Sequence, residues 1–186
     1  MTARTGMTGL ILRVRGMVSA GTADYTLGTA NYWDDNHVQE VLDMHRVDVY
    51  REKLVSMPTH ASAGSLTYTE YRSRFPFWES GTAVFTLEDS TGANIGTASF
   101  TADYERGIIT FGADTGGSTF YVSGRVYDAN SAASDIWRQK AGHFSEHYTF
   151  STDGHSLKRG EIIANCLKMA DYYSGLKASE VITLGN

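Results

Sequence analysis

Residues 127 to 173 constrain the fold of this chain more than any other stretch, because their apolar positions specify two amphipathic helices joined by the polar turn Ser151-Thr152-Asp153-Gly154. In the first helix Asp128 stands at the N-cap, and Ala133, Ile136, Trp137, Lys140, Ala141, Phe144 and Tyr148 recur at spacings of three and four. That spacing makes one apolar stripe. Ser156 is placed to cap the second helix, and Gly175 supplies its C′ stop. Between them Ile162, Ile163, Cys166, Leu167, Met169, Ala170 and Tyr173 occupy more than half of the circumference. Such a helix has to be covered on several sides.

Upstream, Leu10, Ile11, Val14, Met17 and Val18 fall at helical spacing behind Thr8, a cap for a short helix, and residues 21 to 29 read as a loop. Asp34 or Asp35 caps a longer helix, with Trp33 stapled onto Val38 and a stripe of Val38, Val41, Leu42, His45 and Val49 that ends near Leu54, before Pro58. From Ser65 the period changes to two. Segments 66–69, 83–87, 95–102, 108–111 and 119–127 are rich in Thr, Tyr, Phe, Val and Ile, and turn sequences at 89–92, 104–107 and 114–117 separate the later ones. Short turns predict an antiparallel meander of about five strands. The predicted fold class is therefore α+β, a helical bundle of about four helices with an inserted antiparallel β-sheet meander. Its parts are N-terminal helices in 1–60, a β-domain in 61–127, a C-terminal helical hairpin in 128–176 and an extended tail in 177–186.

Hydrophobic residues at 41% and charged residues at 20% fit a globular chain with a real core. No apolar run approaches the roughly 18 residues of a membrane span, since Arg13 and Arg15 break the N-terminal candidate, and no signal peptide is read. The single cysteine, Cys166, falls on an apolar helix position, which makes it a packing residue and excludes an intramolecular disulfide. Net charge is −5, distributed as −1 over residues 1–60, −3 over 61–127 and −1 over 128–186. With no concentration of Lys and Arg, tight binding of a nucleic-acid backbone is not expected.

Two sequences resemble catalytic motifs. His143-Phe144-Ser145-Glu146-His147 matches H-x-x-E-H, in which two histidines four apart face a zinc ion and the glutamate activates water. A zinc-dependent hydrolase is thus one reading. Against it, the same helix stripe already has a packing role, and Glu161 follows without the spacing that would complete the ligand set. Asp114-Thr115-Gly116 contains the aspartic-protease triplet in a single copy, where a turn is needed anyway. Thr152-Asp153-Gly154-His155-Ser156 holds a nucleophile and a base in adjacent loop positions that fix no geometry. No nucleotide-binding glycine loop, nucleophile elbow or C-x-x-C is present. No catalytic residue, metal ligand or cofactor is expected.

The stretch Tyr127-Asp128-Ala129-Asn130-Ser131-Ala132-Ala133-Ser134-Asp135-Ile136-Trp137, then Lys140-Ala141, then residues 150 to 159 from Phe150 to Lys158-Arg159, resembles the head-tail connector (adaptor, head-completion) proteins of tailed bacteriophages. Trp33-Asp34-Asp35 with Val41-Leu42-Asp43 is similar to their first long helix, and Phe100, Asp103, Gly107 and Phe111 resemble the strand-turn-strand of their longer members. The resemblance implies a virion structural protein in the neck, assembled in the host cytoplasm: a ring of about twelve copies under the portal protein, contacting a tail-completion or stopper protein, with DNA passing through its lumen unbound. It implies neither cofactor nor membrane. A full β-insert departs from the compact members. Lys177, Val181, Ile182 and Leu184 in the tail are the candidate interface, facing a neighbour or the portal. The alternative within virion proteins is a tail or tail-completion protein with a ligand-binding β-domain.

Overall fold

The computed structural model describes residues 2–19, 25–27, 30–60, 64–145, 151–152, 155–156 and 159–176. In chain order its helices are α1 (Thr8–Val18), α2 (Asp35–Met44), α3 (Ala129–Ser145) and α4 (Arg159–Gly175). Its strands are β1 (Tyr25–Leu27), β2 (Ala30–Tyr32), β3 (Arg46–Lys53), β4 (Val55–His60), β5 (Leu66–Arg72), β6 (Phe85–Asp89), β7 (Phe100–Asp103), β8 (Ile108–Phe111), β9 (Phe120–Tyr127), β10 (Ser151–Thr152) and β11 (His155–Ser156). They divide into two compact units: a helical unit of residues 1–3, 11–45 and 128–186, and a sheet unit of residues 4–10 and 46–127.

The expected helical bundle carrying one inserted meander is not what forms. The sheet unit holds two antiparallel sheets of seven strands together, ordered β3-β9-β6 and β4-β5-β8-β7. Strand β3 replaces the expected helix from Arg46 to its expected end near Leu54, and β4 follows it to His60. There α2 stops at Met44, His45 leaves helical geometry at φ −110° and ψ 26°, and the chain runs straight into β3. Val49 lies four residues after His45 and two after Val47, so it satisfies a helical stripe and a strand alternation equally. β9 decides between them by pairing Val126 with Val47 and Gly124 with Val49. Pro58 is tolerated in β4 because that strand is the sheet's edge, where a missing N–H costs no ladder bond.

The meander fails for a second reason. The Asp89 carboxylate does organise a turn, accepting from the Thr91 N–H at 2.8 Å, the Thr91 hydroxyl at 2.7 Å and the Ala93 N–H at 3.0 Å. Asn94 then bridges back to Glu88, but after Gly96 the chain enters a 3-10 turn and begins β7 in the other sheet. β7 and β8 do form a sequential hairpin. Its Gly107 has φ +67°, and a Cβ there would lie 2.4 Å from the Phe75 carbonyl oxygen.

Both sheets contribute to one core of Leu54, Tyr71, Trp78, Phe85, Leu87, Phe100, Ile109, Phe111, Phe120, Val122 and Val126. Aromatic rings lock it: Tyr71 meets Phe120 edge-on at 4.9 Å, Phe111 stacks on Phe120 at 4.6 Å, and Trp78 meets Phe85 at 5.5 Å. Trp78 Nε1 donates to the Phe75 carbonyl at 2.7 Å, so the buried indole leaves no unpaired N–H. The void lined by Leu54, Trp78, Phe85, Tyr104 and Ile109 has room for about one water.

In the helical unit, Asp34 caps α2 by accepting from the His37 N–H at 2.9 Å, as its position implies. Asp128 caps α3 by accepting from the Asn130 and Ser131 N–H groups, both at 3.0 Å. The two C-terminal carbonyls of α1 are closed by α3 side chains: Trp137 Nε1 donates to Met17 O at 3.3 Å and Lys140 Nζ to Val18 O at 2.8 Å. Thr8, at the start of α1 and in the sheet unit, does not cap as expected, because a 3-10 turn at Thr5–Met7 precedes it and its hydroxyl donates to Thr5 O at 2.9 Å. α3 buries Ala129, Ala132, Ala133, Ser134, Ile136 and Ala141. Its small residues allow a close approach of α4, where Ser134 Oγ donates to Ala170 O at 2.9 Å.

Candidate functional site

Among the described residues, α4 carries apolar surface that is incompletely covered. Cys166 and Ala170, four residues apart, form its seam against α3 and are buried at 4% and 1% exposure. The rest of its apolar circumference is not closed over. Ile162, Ile163, Met169 and Tyr173 are half-buried. Leu167, Tyr172 and Leu176 are exposed by 46%, 57% and 46%. At about 3.6 residues per turn, Leu167 and Leu176 stand on opposite sides of the helix, so bare apolar surface flanks the seam on both sides. The expectation that this helix needs cover on several sides thus meets, among the described residues, a seam on one side.

The positions singled out in the sequence fall differently. Lys177, Val181, Ile182 and Leu184 lie outside the described residues, as do Glu146 and His147. His143 sits among aromatic rings, 5.4 Å from both Tyr32 and Trp33 and 5.8 Å from Phe144. Among the described residues no group of three or more His, Cys, Asp and Glu is gathered that could hold a metal ion. Asp114 works as a turn residue, its carboxylate accepting from the Tyr68 N–H at 2.9 Å and the Gly116 N–H at 3.0 Å. Those two donors hold its carboxyl below the ordinary carboxylate value. The Thr91 hydroxyl, followed by the Ala93 N–H, does the same for Asp89. Burial pushes the Cys166 thiol up, with the Lys140 charge pulling partly the other way, so its thiolate is disfavoured.

Of four buried charges among the described residues, Arg15, Glu52, Glu79 and Lys140, periodicity places only Lys140. Glu79 is 2% exposed and accepts from Tyr127 Oη at 2.6 Å and Arg4 Nε at 3.0 Å, with Arg125 Nη1 at 3.5 Å. Glu52 accepts from Ser73 Oγ at 2.6 Å and the Arg74 N–H at 2.7 Å. Lys140 lies between two indoles, its Nζ 4.9 Å from the Trp137 ring centre and 5.5 Å from that of Trp33. Each is matched by partners inside the fold, which makes them ties between segments distant in sequence. Only the odd placement of Lys140 within an apolar stripe signals one of them in advance.

No helix among the described residues is long and apolar enough to cross a membrane. No known family model matches the chain, and no curated protein is similar to it.

Proposed function

We propose that the protein is a structural component of a tailed-phage virion, an adaptor ring in the neck that joins the capsid portal to the tail and leaves a channel for DNA. The single observation that carries this reading is α4, whose apolar sides at Leu167, Tyr172 and Leu176 are left bare by the protomer. A helix of that composition is stable in water when something buries it, and sister copies are the partners always present. The resemblance of residues 127 to 159 to head-tail connectors supplies the type of assembly, and a net charge of −5 suits a lumen along which DNA slides without sticking. The tail, through Lys177, Val181, Ile182 and Leu184, adds a contact to a neighbour or to the portal. The role is assembly, with no catalysis and no cofactor.

Electron microscopy of the purified chain tests this reading. Rings with an open centre that cap isolated portal complexes are the expected result. Single particles that ignore portals overturn it. A tail or tail-completion protein is the second reading, favoured by a sheet unit with its own closed core. Capture by tail components instead of the portal distinguishes it.

A further inference from the structure

A strand at the rim of a sheet turns alternate N–H and C=O groups outward, and folds usually guard such edges against stray pairing. In the sheet unit β3 and β6 bound one sheet, and β4 and β7 the other. Three of these edges are guarded. β3 is charged at Arg46 and Asp48 and broken by a bulge, where its register with β9 shifts between Val49 and Glu52 and Arg51 takes φ +48°. β4 carries Pro58 and its own register shift between Met57 and Thr59. β6 is covered by the returning chain, the Asp89 N–H donating to Ala93 O at 3.0 Å and the Ile95 N–H to Leu87 O at 2.8 Å.

β7 has none of these devices. It pairs with β8 in unbroken register from Phe100↔Phe111 to Asp103↔Ile108, and among the described residues no backbone group pairs with it from the other side. The core is thin beneath it: Ala102 and Tyr104 are half-buried, and both line the apolar void. Such an edge accepts a short added strand, whose main-chain bonds give affinity while the margin of the core takes alternate side chains. The chain supplies a matching segment. The described residues end at Leu176, whose carbonyl accepts from Asn130 Nδ2 at 2.9 Å, and ten residues follow. Among them Val181-Ile182-Thr183-Leu184 has the length of β7, three β-branched residues, no proline and no charge to oppose pairing. We propose that residues 181–184 of one copy add as a strand to the β7 edge of the next copy. Ile182 and Leu184, the larger apolar side chains, turn toward Phe100 and Ala102, and Val181 and Thr183 lie on the face of Thr101. A tail on one side and an open edge on the other are two different complementary surfaces, which a head-to-tail ring requires. This inference rests on the ring reading and names the acceptor of the tail.

The test uses the full chain in a Cys166→Ala background, with Thr101→Cys in one preparation and Val181→Cys, Ile182→Cys, Thr183→Cys or Leu184→Cys in the other. On oxidation a covalent dimer holding one chain of each kind is expected with Val181→Cys or Thr183→Cys. Ile182→Cys and Leu184→Cys are expected to give at least about fivefold less, the period of two that a strand imposes. Rings without that alternating mixed dimer overturn the docking and leave the ring reading standing; a chain that stays single overturns both. As a second measurement, Ile182→Asp is expected to weaken assembly at least about tenfold while the thermal unfolding of the protomer is unchanged. Full assembly of Ile182→Asp overturns the proposal.

Discussion

The core of the sheet unit and the exposed sides of α4 are built from the same kinds of residue with opposite outcomes. In the sheet unit Trp78, Tyr71, Phe85 and Leu87 are each 5% exposed or less, ring against ring, and the glycines needed for close approach stand where they are needed. Gly124, for example, lies so near Trp78 that a Cβ would come within 3.1 Å of the indole. In α4, Leu167, Tyr172 and Leu176 lie on the surface of a helix attached by a narrow seam. Apolar composition alone therefore does not say whether a segment completes its own fold or waits for another. The difference lies in how much of its circumference the rest of the chain reaches.

Truncation separates the two regions. Trp78→Ala removes the centre of the sheet core and is expected to cost about 4 kcal/mol in urea unfolding, the largest effect of those considered. A loss under about 1 kcal/mol would mean that this core is less closed than its ring contacts imply. Glu79→Ala leaves the Arg4 and Arg125 charges without their buried partner. With both arginines about one-third exposed and softened by water, a loss of about 2 kcal/mol is expected. A double-mutant cycle with Arg4→Met checks whether that loss belongs to the pair. Leu167→Ser on α4 is expected to leave protomer stability within about 0.5 kcal/mol while weakening assembly. If it destabilises the protomer as strongly as Trp78→Ala, α4 is part of a closed core after all and the contrast fails.

The smallest expected effect is on acid stability. Asp114 has its carboxyl held below the ordinary value by the Tyr68 and Gly116 N–H groups. Its folded value lies below its unfolded one, so the contribution is complete above the unfolded value and fades as pH falls through the folded one. Asp114→Asn should therefore lower stability slightly at neutrality, where the carboxylate's contribution is complete, and converge with the native chain below about pH 4, where that contribution is lost. An unaltered acid limb would remove the turn bonds from the account.

How legible these regions are in the amino-acid order follows from the range of the forces involved. The caps at Asp34 and Asp128 and the hairpin turn at Gly107 are local, so their side chains announce them. β3 was hidden because Val41, His45 and Val49 keep a four-residue spacing across the end of α2, and its partner β9 begins far along the chain at Phe120. The Asp89 turn was legible, but not that the strand after it belongs to another sheet, a choice made by the packing of Phe100 and Phe111 with Tyr71. In α4 the wide apolar circumference was visible in sequence. That Leu167, Tyr172 and Leu176 remain bare required the fold, because it depends on how far α3 reaches around the seam.

Light-scattering mass as a function of concentration, for the native chain beside Leu167→Ser and Tyr172→Ser, tests most directly whether α4 is buried by other copies. The expected result is a closed assembly of fixed size for the native chain, shifted toward single protomers by each substitution. A native chain of protomer mass at every concentration, identical to both variants, would contradict the account.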